Sequence, residues 1–230
     1  MDTKPVILVV GAAHGIGAAV ARKLRASGHE VLATSRNPDG NETTLSFDAT
    51  DSSPSLVLPD KLDGIVYCPG TVNLKPFHRL TSAEIQNDLE VNTLGAVRLL
   101  QLALPALKKS DRASVVLFST IAVGTGLPMH ASIAMAKGAI EGLARSLAAE
   151  WAPKIRVNVI APSLTDTPLV APLVSTPEKK EASSARHPLK RIGDADETAA
   201  WVEHLLGPAS GFMTGQVIRL DGGMSSVRTL

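Results

Sequence analysis

The stretch VVGAAHGIG, residues 9–17, sets the reading of the whole chain. A short β-branched run, Val6–Val10, ends at Gly11, and an amphipathic pattern starts at Gly15, with Ile16, Val20 and Leu24 on one face. Strand, glycine turn and helix therefore follow within a few residues. Gly11 allows the turn, Gly15 lets the backbone approach a ligand, and Gly17 permits close packing of the helix. A helix N-terminus offers free N–H groups and the positive end of a dipole, which suits a phosphate. The spacing is GxxxGxG rather than GxGxxG.

Outward from this unit, strands and helices alternate. The first helix runs from about Gly15 to Ala26, and Gly28 ends it. Further strands are read at residues 29–36 (HEVLATSR), 43–48 (TTLSFD), 62–70 (LDGIVYCPG), 113–120 (ASVVLFST), 155–163 (IRVNVIAPS) and 215–223 (GQVIRLDGG). A long helix over residues 81–110 opens on the capping box Thr81-x-x-Glu84, with a kink expected near Pro105. Another helix covers Ala131–Trp151, and a third is capped by Asp194-x-x-Glu197. Most strands are continuous apolar runs. This predicts an α/β fold of the Rossmann type, a doubly wound, mostly parallel seven-stranded sheet with helices on both faces. Ligands bind such sheets beyond the carboxyl ends of the strands. Those ends carry Gly11, Ser35, Asp48, Gly70, Thr120 and Pro162. Residues 1–230 are read as one dinucleotide-binding domain. The Pro-, Ser- and Thr-rich segment around 163–192 is read as a mobile substrate lid.

Composition narrows the function. The net charge is +1 and aromatic residues make up 3%, so neither nucleic acid nor an anionic membrane is an expected partner. The single cysteine, Cys68, rules out an internal disulfide and a cysteine-based zinc site, and no metal is expected. No apolar run reaches the length of a membrane span, and a cytoplasmic location is expected. A carboxylate about 20 residues after the glycines would hold the ribose 2′-hydroxyl of NAD. Here the strand end reads Ser35-Arg36, without a carboxylate. A guanidinium there suits a 2′-phosphate, which points to NADP(H).

Several motifs in order resemble the short-chain dehydrogenase/reductase family across nearly the whole chain: GAAHGIG, FDATD (47–51), VNTLG (91–95), VNVIAPSLTDTPL and MTGQVIRLDGG. The resemblance implies a cofactor site lined by Gly11, His14, Gly15, Ile16, Gly17, Ser35, Arg36, Asp48, Ala49 and Gly70. It further implies that Thr165 and Thr167 lie against the nicotinamide amide and Lys137 holds the nicotinamide ribose. Asn92, Thr120 and Lys137 are the implied catalytic residues, acting on a small organic substrate, and a homo-oligomer, most often a tetramer, is implied as well. Small residues on the helix 131–151 agree with close packing between copies.

Departures from the family pattern are equally specific. YCPG (67–70) stands where the family usually has Asn-Asn-Ala-Gly, and the short link from FDAT to LDG leaves out a flanking helix. Ser163 replaces a common glycine. The family's Tyr-x-x-x-Lys is here Ile133-x-x-x-Lys137, and Thr120, beside Ser119, stands for the active-site serine. The chain's only tyrosine, Tyr67, is expected along the cofactor and away from the reacting carbon. His130 and Ser132 are alternative proton donors on paper. His130 is read as structural, and Ser132 as pointing off the face shared by Ile133 and Lys137. A positioned general acid is worth about 10²- to 10⁴-fold, so its loss predicts a slow reductase or one whose substrate needs no strong acid. The competing expectation is an NADP(H)-binding protein without turnover.

Overall fold

The structure is a computed structural model and describes residues 4–40, 42 and 45–228. In chain order the elements are β1 (Val6–Val10), α1 (Gly15–Ala26), β2 (Glu30–Ser35), β3 (Leu45–Ser46), β4 (Gly64–Tyr67), α2 (Ser82–Leu89), α3 (Gly95–Leu107), β5 (Ala113–Phe118), α4 (Ala122–Thr125), α5 (Ala131–Trp151), β6 (Ile155–Pro162), α6 (Pro177–Ala185), α7 (Ala195–Leu206) and β7 (Val217–Leu220). The seven strands form one sheet in the order β3-β2-β1-β4-β5-β6-β7, and every pairing is parallel. The strand order reverses between β1 and β4, so the turns after these two strands open a crevice at the sheet's carboxyl edge.

Alternation along each strand feeds two cores. Leu8 and Val10 of β1 face the side covered by α3 and α5. Ile7 and Val9 face the side covered by α1 and α7. β5 is buried along its whole length, and each of its larger apolar side chains contributes about 2 kcal/mol by leaving water. The helix starts follow their signals. Thr81 and Glu84 form the reciprocal capping box of α2, and Asp194 accepts from the N–H groups of Asp196 and Glu197 at the start of α7.

Three sequence expectations change. The strand read at 43–48 pairs only over Leu45–Ser46, while Thr43 and Thr44 lie outside the described residues. The helix read over 81–110 is not one α-helix. A π-helical turn, Glu90–Leu94, separates α2 from α3. The helix then runs through exposed Pro105 to Leu107. Tyr67 does not line the crevice. It is 1% exposed within the core, and its hydroxyl donates to the Val91 carbonyl at 2.7 Å. The trimmed link is as read: residues 47–63 carry no helix.

Candidate active site

The turn after β1 is built by steric necessity. Gly11 and Gly15 both hold positive φ, +77° and +57°. A Cβ on Gly17 would stand 2.1 Å from the Gly11 carbonyl oxygen, so α1 can approach the strand only with glycine there. His14 is the N-cap of α1, yet its side chain caps nothing, and the first turn holds no acidic residue. The first-turn N–H groups thus keep their capacity for an anion. His14 is exposed and Ile16 half-buried beside it. The cradle fits a pyrophosphate.

Neighbouring strand ends converge on this loop. A Cβ on Gly11 would touch Pro69, in the turn after β4, at 3.2 Å. One on Gly15 would meet the Thr167 side chain at 3.2 Å, which brings the segment after β6 against the glycine loop. Thr165 is buried and donates to the Ser163 carbonyl at 3.2 Å, and Thr167 donates to the Thr165 carbonyl at 3.3 Å. At the end of β2, Ser35 is buried and Arg36 exposed. Asp48 accepts from the N–H and hydroxyl of Thr50, each at 2.8 Å, which holds its carboxyl below the usual range, with Arg36 adding to the effect. Ala49 is buried, and its carbonyl accepts from Arg98 at 2.6 Å.

The second part of the site surrounds Gly70. A Cβ there would lie 3.2 Å from Asn92 Oδ1 and 3.6 Å from Lys137 Nζ, so both groups flank this glycine. Asn92 sits in the π turn, fully buried, and donates to the Thr71 hydroxyl and the Asp88 carbonyl, both at 2.7 Å. Lys137 is 7% exposed. Burial lowers its pKa to about 8, and the same burial pushes the nearby Cys68 thiol up to about 12. Ile133 lies on the same face of α5, 6% exposed, and belongs to neither of the two sheet cores. Thr120 is half-buried and accepts from the Ala122 N–H at 3.3 Å, whereas Ser119 donates to Glu141 at 2.7 Å. Of the two hydroxyls, Thr120 is the one free to donate.

Sequence reading did not find two features. Ser132 points away from Ile133 and Lys137, as expected, but it points at buried Asp88, with which Thr71 also bonds. The four-residue spacing of Asp88 and Asn92 on one helix was the available signal. The other is a cavity of about 710 Å³ between β7, α7 and residues 187–193, lined by His187, Trp201 and Asp221 among others. It includes Ser163 and Thr165 but none of the glycine loop, Asn92, Thr120 or Lys137. His130 bonds to the Pro128 carbonyl at 2.7 Å, in keeping with a structural role. No helix of the described residues is long and apolar enough to cross a membrane.

A doubly wound parallel sheet with a glycine cradle at its switch point is a dinucleotide-binding fold, and the comparisons make the class specific. Residues 5–58 match the family model described as short chain dehydrogenase, and residues 56–225 match the one described as Enoyl-(Acyl carrier protein) reductase. A tropinone reductase homolog of Arabidopsis thaliana is 35% identical, covering 95% of this chain and 92% of the relative. One from Datura stramonium is 32% identical, covering 94% and 90%. Among solved structures, Thermoplasma acidophilum aldohexose dehydrogenase superposes with a TM-score of 0.89 at 25% identity, covering 99% of this chain and 97% of that one. The chain belongs to the short-chain dehydrogenase/reductase family and is an oxidoreductase of that type.

Proposed function

We propose that this chain is an NADP(H)-dependent reductase of a small apolar substrate with an activated C=O, C=C or C=N bond, and that its proton does not come from a tyrosine. The observation that carries the reading is the junction at Gly70, where Asn92 Oδ1 and the buried Lys137 ammonium converge beside the glycine cradle. Bound NADPH supplies the hydride. Arg36, exposed directly after β2, answers a 2′-phosphate, with Ser35 beside it. Asp48 and Ala49 would hold the adenine, Thr165 and Thr167 the nicotinamide amide, and Lys137 the ribose. Thr120 donates to the substrate's polar atom. Lys137, or a water ordered by Asn92, gives the proton, and a lysine pKa of about 8 leaves an ammonium able to do so near neutrality.

The apolar character of the substrate is supported by the loops at this edge. Val72 and Phe77 after β4, Met129 after β5, and Leu169 and Leu173 after β6 are all exposed. Lys75 N–H donates to the Met129 carbonyl at 3.1 Å, which ties two of these loops together. Residues 163–192 act as the lid, with Ser163 and His187 bonded at 2.9 Å across its two ends. Exposed Leu94, Leu102 and Met135 on the α3–α5 side support a homo-oligomer, a tetramer by family habit, since Ala144 and Ala148 are already spent on the chain's own core. Ile133 favours one other reading, a cofactor-binding protein without turnover. Calorimetric titration with NADPH and NADH, then NADPH oxidation across ketones, enones and imines, tests both. Equal affinity for the two cofactors, or no loss of NADPH affinity in Arg36→Ala, overturns the cofactor assignment. Tight NADPH binding with no turnover on any compound leaves the second reading.

A further inference from the structure

Asp88, at the end of α2, is 1% exposed. Its carboxyl accepts from Thr71 Oγ1 at 2.6 Å, from Ser132 Oγ at 2.5 Å and from Asn73 Nδ2 at 3.4 Å. All three donors are uncharged. A buried carboxyl held by neutral donors costs more free energy than a packed apolar side chain of similar volume, so stability alone does not account for it. The donors come from the pieces that meet at Gly70. Thr71 Oγ1 accepts from Asn92 Nδ2, and the Thr71 N–H approaches Asn92 Oδ1 at 3.3 Å. Asn92 Nδ2 also donates to the Asp88 carbonyl. Ser132 belongs to the first turn of α5, next to Ile133 and five residues before Lys137. The carboxyl therefore clamps the loop after β4 to the start of α5, and the π turn joins them through Thr71 Oγ1 and the Asp88 main-chain carbonyl. The π turn is docked on α5 independently, through Thr93 Oγ1 and the Ala136 carbonyl at 2.8 Å. Contact between the π turn and α5 thus has a bond in which Asp88 takes no part.

We propose that Asp88 is a positioning residue for the reduction. Through Thr71 it fixes the Asn92 amide, and through Ser132 it fixes the rotation of the first turn of α5, and so the offset between Asn92 and the Ile133–Lys137 face. The inference rests on the reductase reading of the same site. It is tested on the full chain with NADPH and 2-cyclohexen-1-one as probes. The variants are Asp88→Asn and the double variant Asp88→Leu/Ser132→Ala, which removes the carboxyl together with its buried donor and leaves the half-buried Thr71 and Asn73 side chains to turn to water, so that it is less destabilised than a variant that strands the Ser132 hydroxyl. The expected result is an NADPH Kd within about 2-fold of wild type and a kcat lower by about 10-fold or more with KM nearly unchanged. Adding Asn92→Ala to the double variant then costs little more, because the groups act as a unit. Recovery of kcat together with melting temperature in the double variant overturns the proposal and leaves Asp88 a packing element. Should the wild-type chain not reduce cyclohexenone, the reductase reading loses that substrate, and positioning is read from the emission of bound NADPH. Non-additive shifts for Asp88→Leu/Ser132→Ala and Asn92→Ala support it, and unchanged or additive shifts overturn it.

Discussion

The glycine turn after β1 and the first turn of α5 stand at the same edge of one sheet, and they do their work with different atoms. The turn works through backbone. Its N–H groups, its positive φ angles and the contact of Gly17 with Gly11 serve folding and phosphate binding at once. The first turn of α5 works through side-chain tips. Ile133 is buried in this turn, four residues before Lys137 on the same helix, where a change of side chain need not disturb the helix or its register. Function can therefore drift at the second place while the first remains fixed by sterics.

The largest expected effect breaks the first region. Gly17→Ala forces a methyl group to within 2.1 Å of the Gly11 carbonyl oxygen, where only backbone can yield. The expected cost is about 3 kcal/mol of stability, together with loss of measurable NADPH binding. Chemical denaturation and calorimetry read both. A variant that melts normally and still binds the cofactor would mean that α1 does not need its close approach.

Next in size is the opposite change in the second region. Ile133→Tyr places a phenol one turn before the Lys137 ammonium, which favours the ionised phenol and lowers its pKa. The expected gain on a simple activated ketone is about 10²-fold. No gain with intact cofactor binding means that the pocket is shaped around the isoleucine. A loss of turnover on the natural substrate means that Ile133 is a working apolar wall.

A third expectation concerns pH. Burial holds the Lys137 pKa at about 8, below its ordinary value. The group is charged below that pH, so any step that needs its proton falls as pH rises through about 8. The stability term has the opposite sign. The unfolded chain binds the proton more strongly, so this residue's contribution to folding improves as pH rises from about 8 toward the ordinary lysine value. Lys137→Ala should remove the alkaline limb from the rate profile and also weaken cofactor binding. An unchanged pH profile in that variant excludes Lys137 as proton source.

How much of this could be read from residues alone follows the same division. The glycine turn, both helix caps, the seven strands and the missing helix before β4 are local signals, and they were legible. The π turn was not, because no residue type announces an extra residue in a helix. The break in the α-helix falls at Glu90–Leu94, while Pro105 lies within α3. Of the Asp88 cluster, only the Asp88–Asn92 pair was legible from spacing, because Thr71 and Ser132 come to it from other segments. Tyr67 was misread for a related reason. Burial alternates along a strand, but both faces of a parallel sheet are covered, so an apolar run does not tell which side a ring takes.

The smallest effect tests that correction. Tyr67 stands in the core with its hydroxyl on the Val91 carbonyl, at the start of the π turn, and burial raises its pKa beyond the range where it could give up a proton. A Cβ on Gly95 would meet the same hydroxyl at 2.5 Å, so the ring is wedged between the π turn and α3. Tyr67→Phe keeps the ring and its burial and removes one neutral hydrogen bond. It should cost about 1 kcal/mol of stability. The rate on any working substrate should hold, because the hydroxyl reaches structure and not the crevice. A fall in rate without a fall in melting temperature would place the phenol back in the chemistry, since the chain has no other.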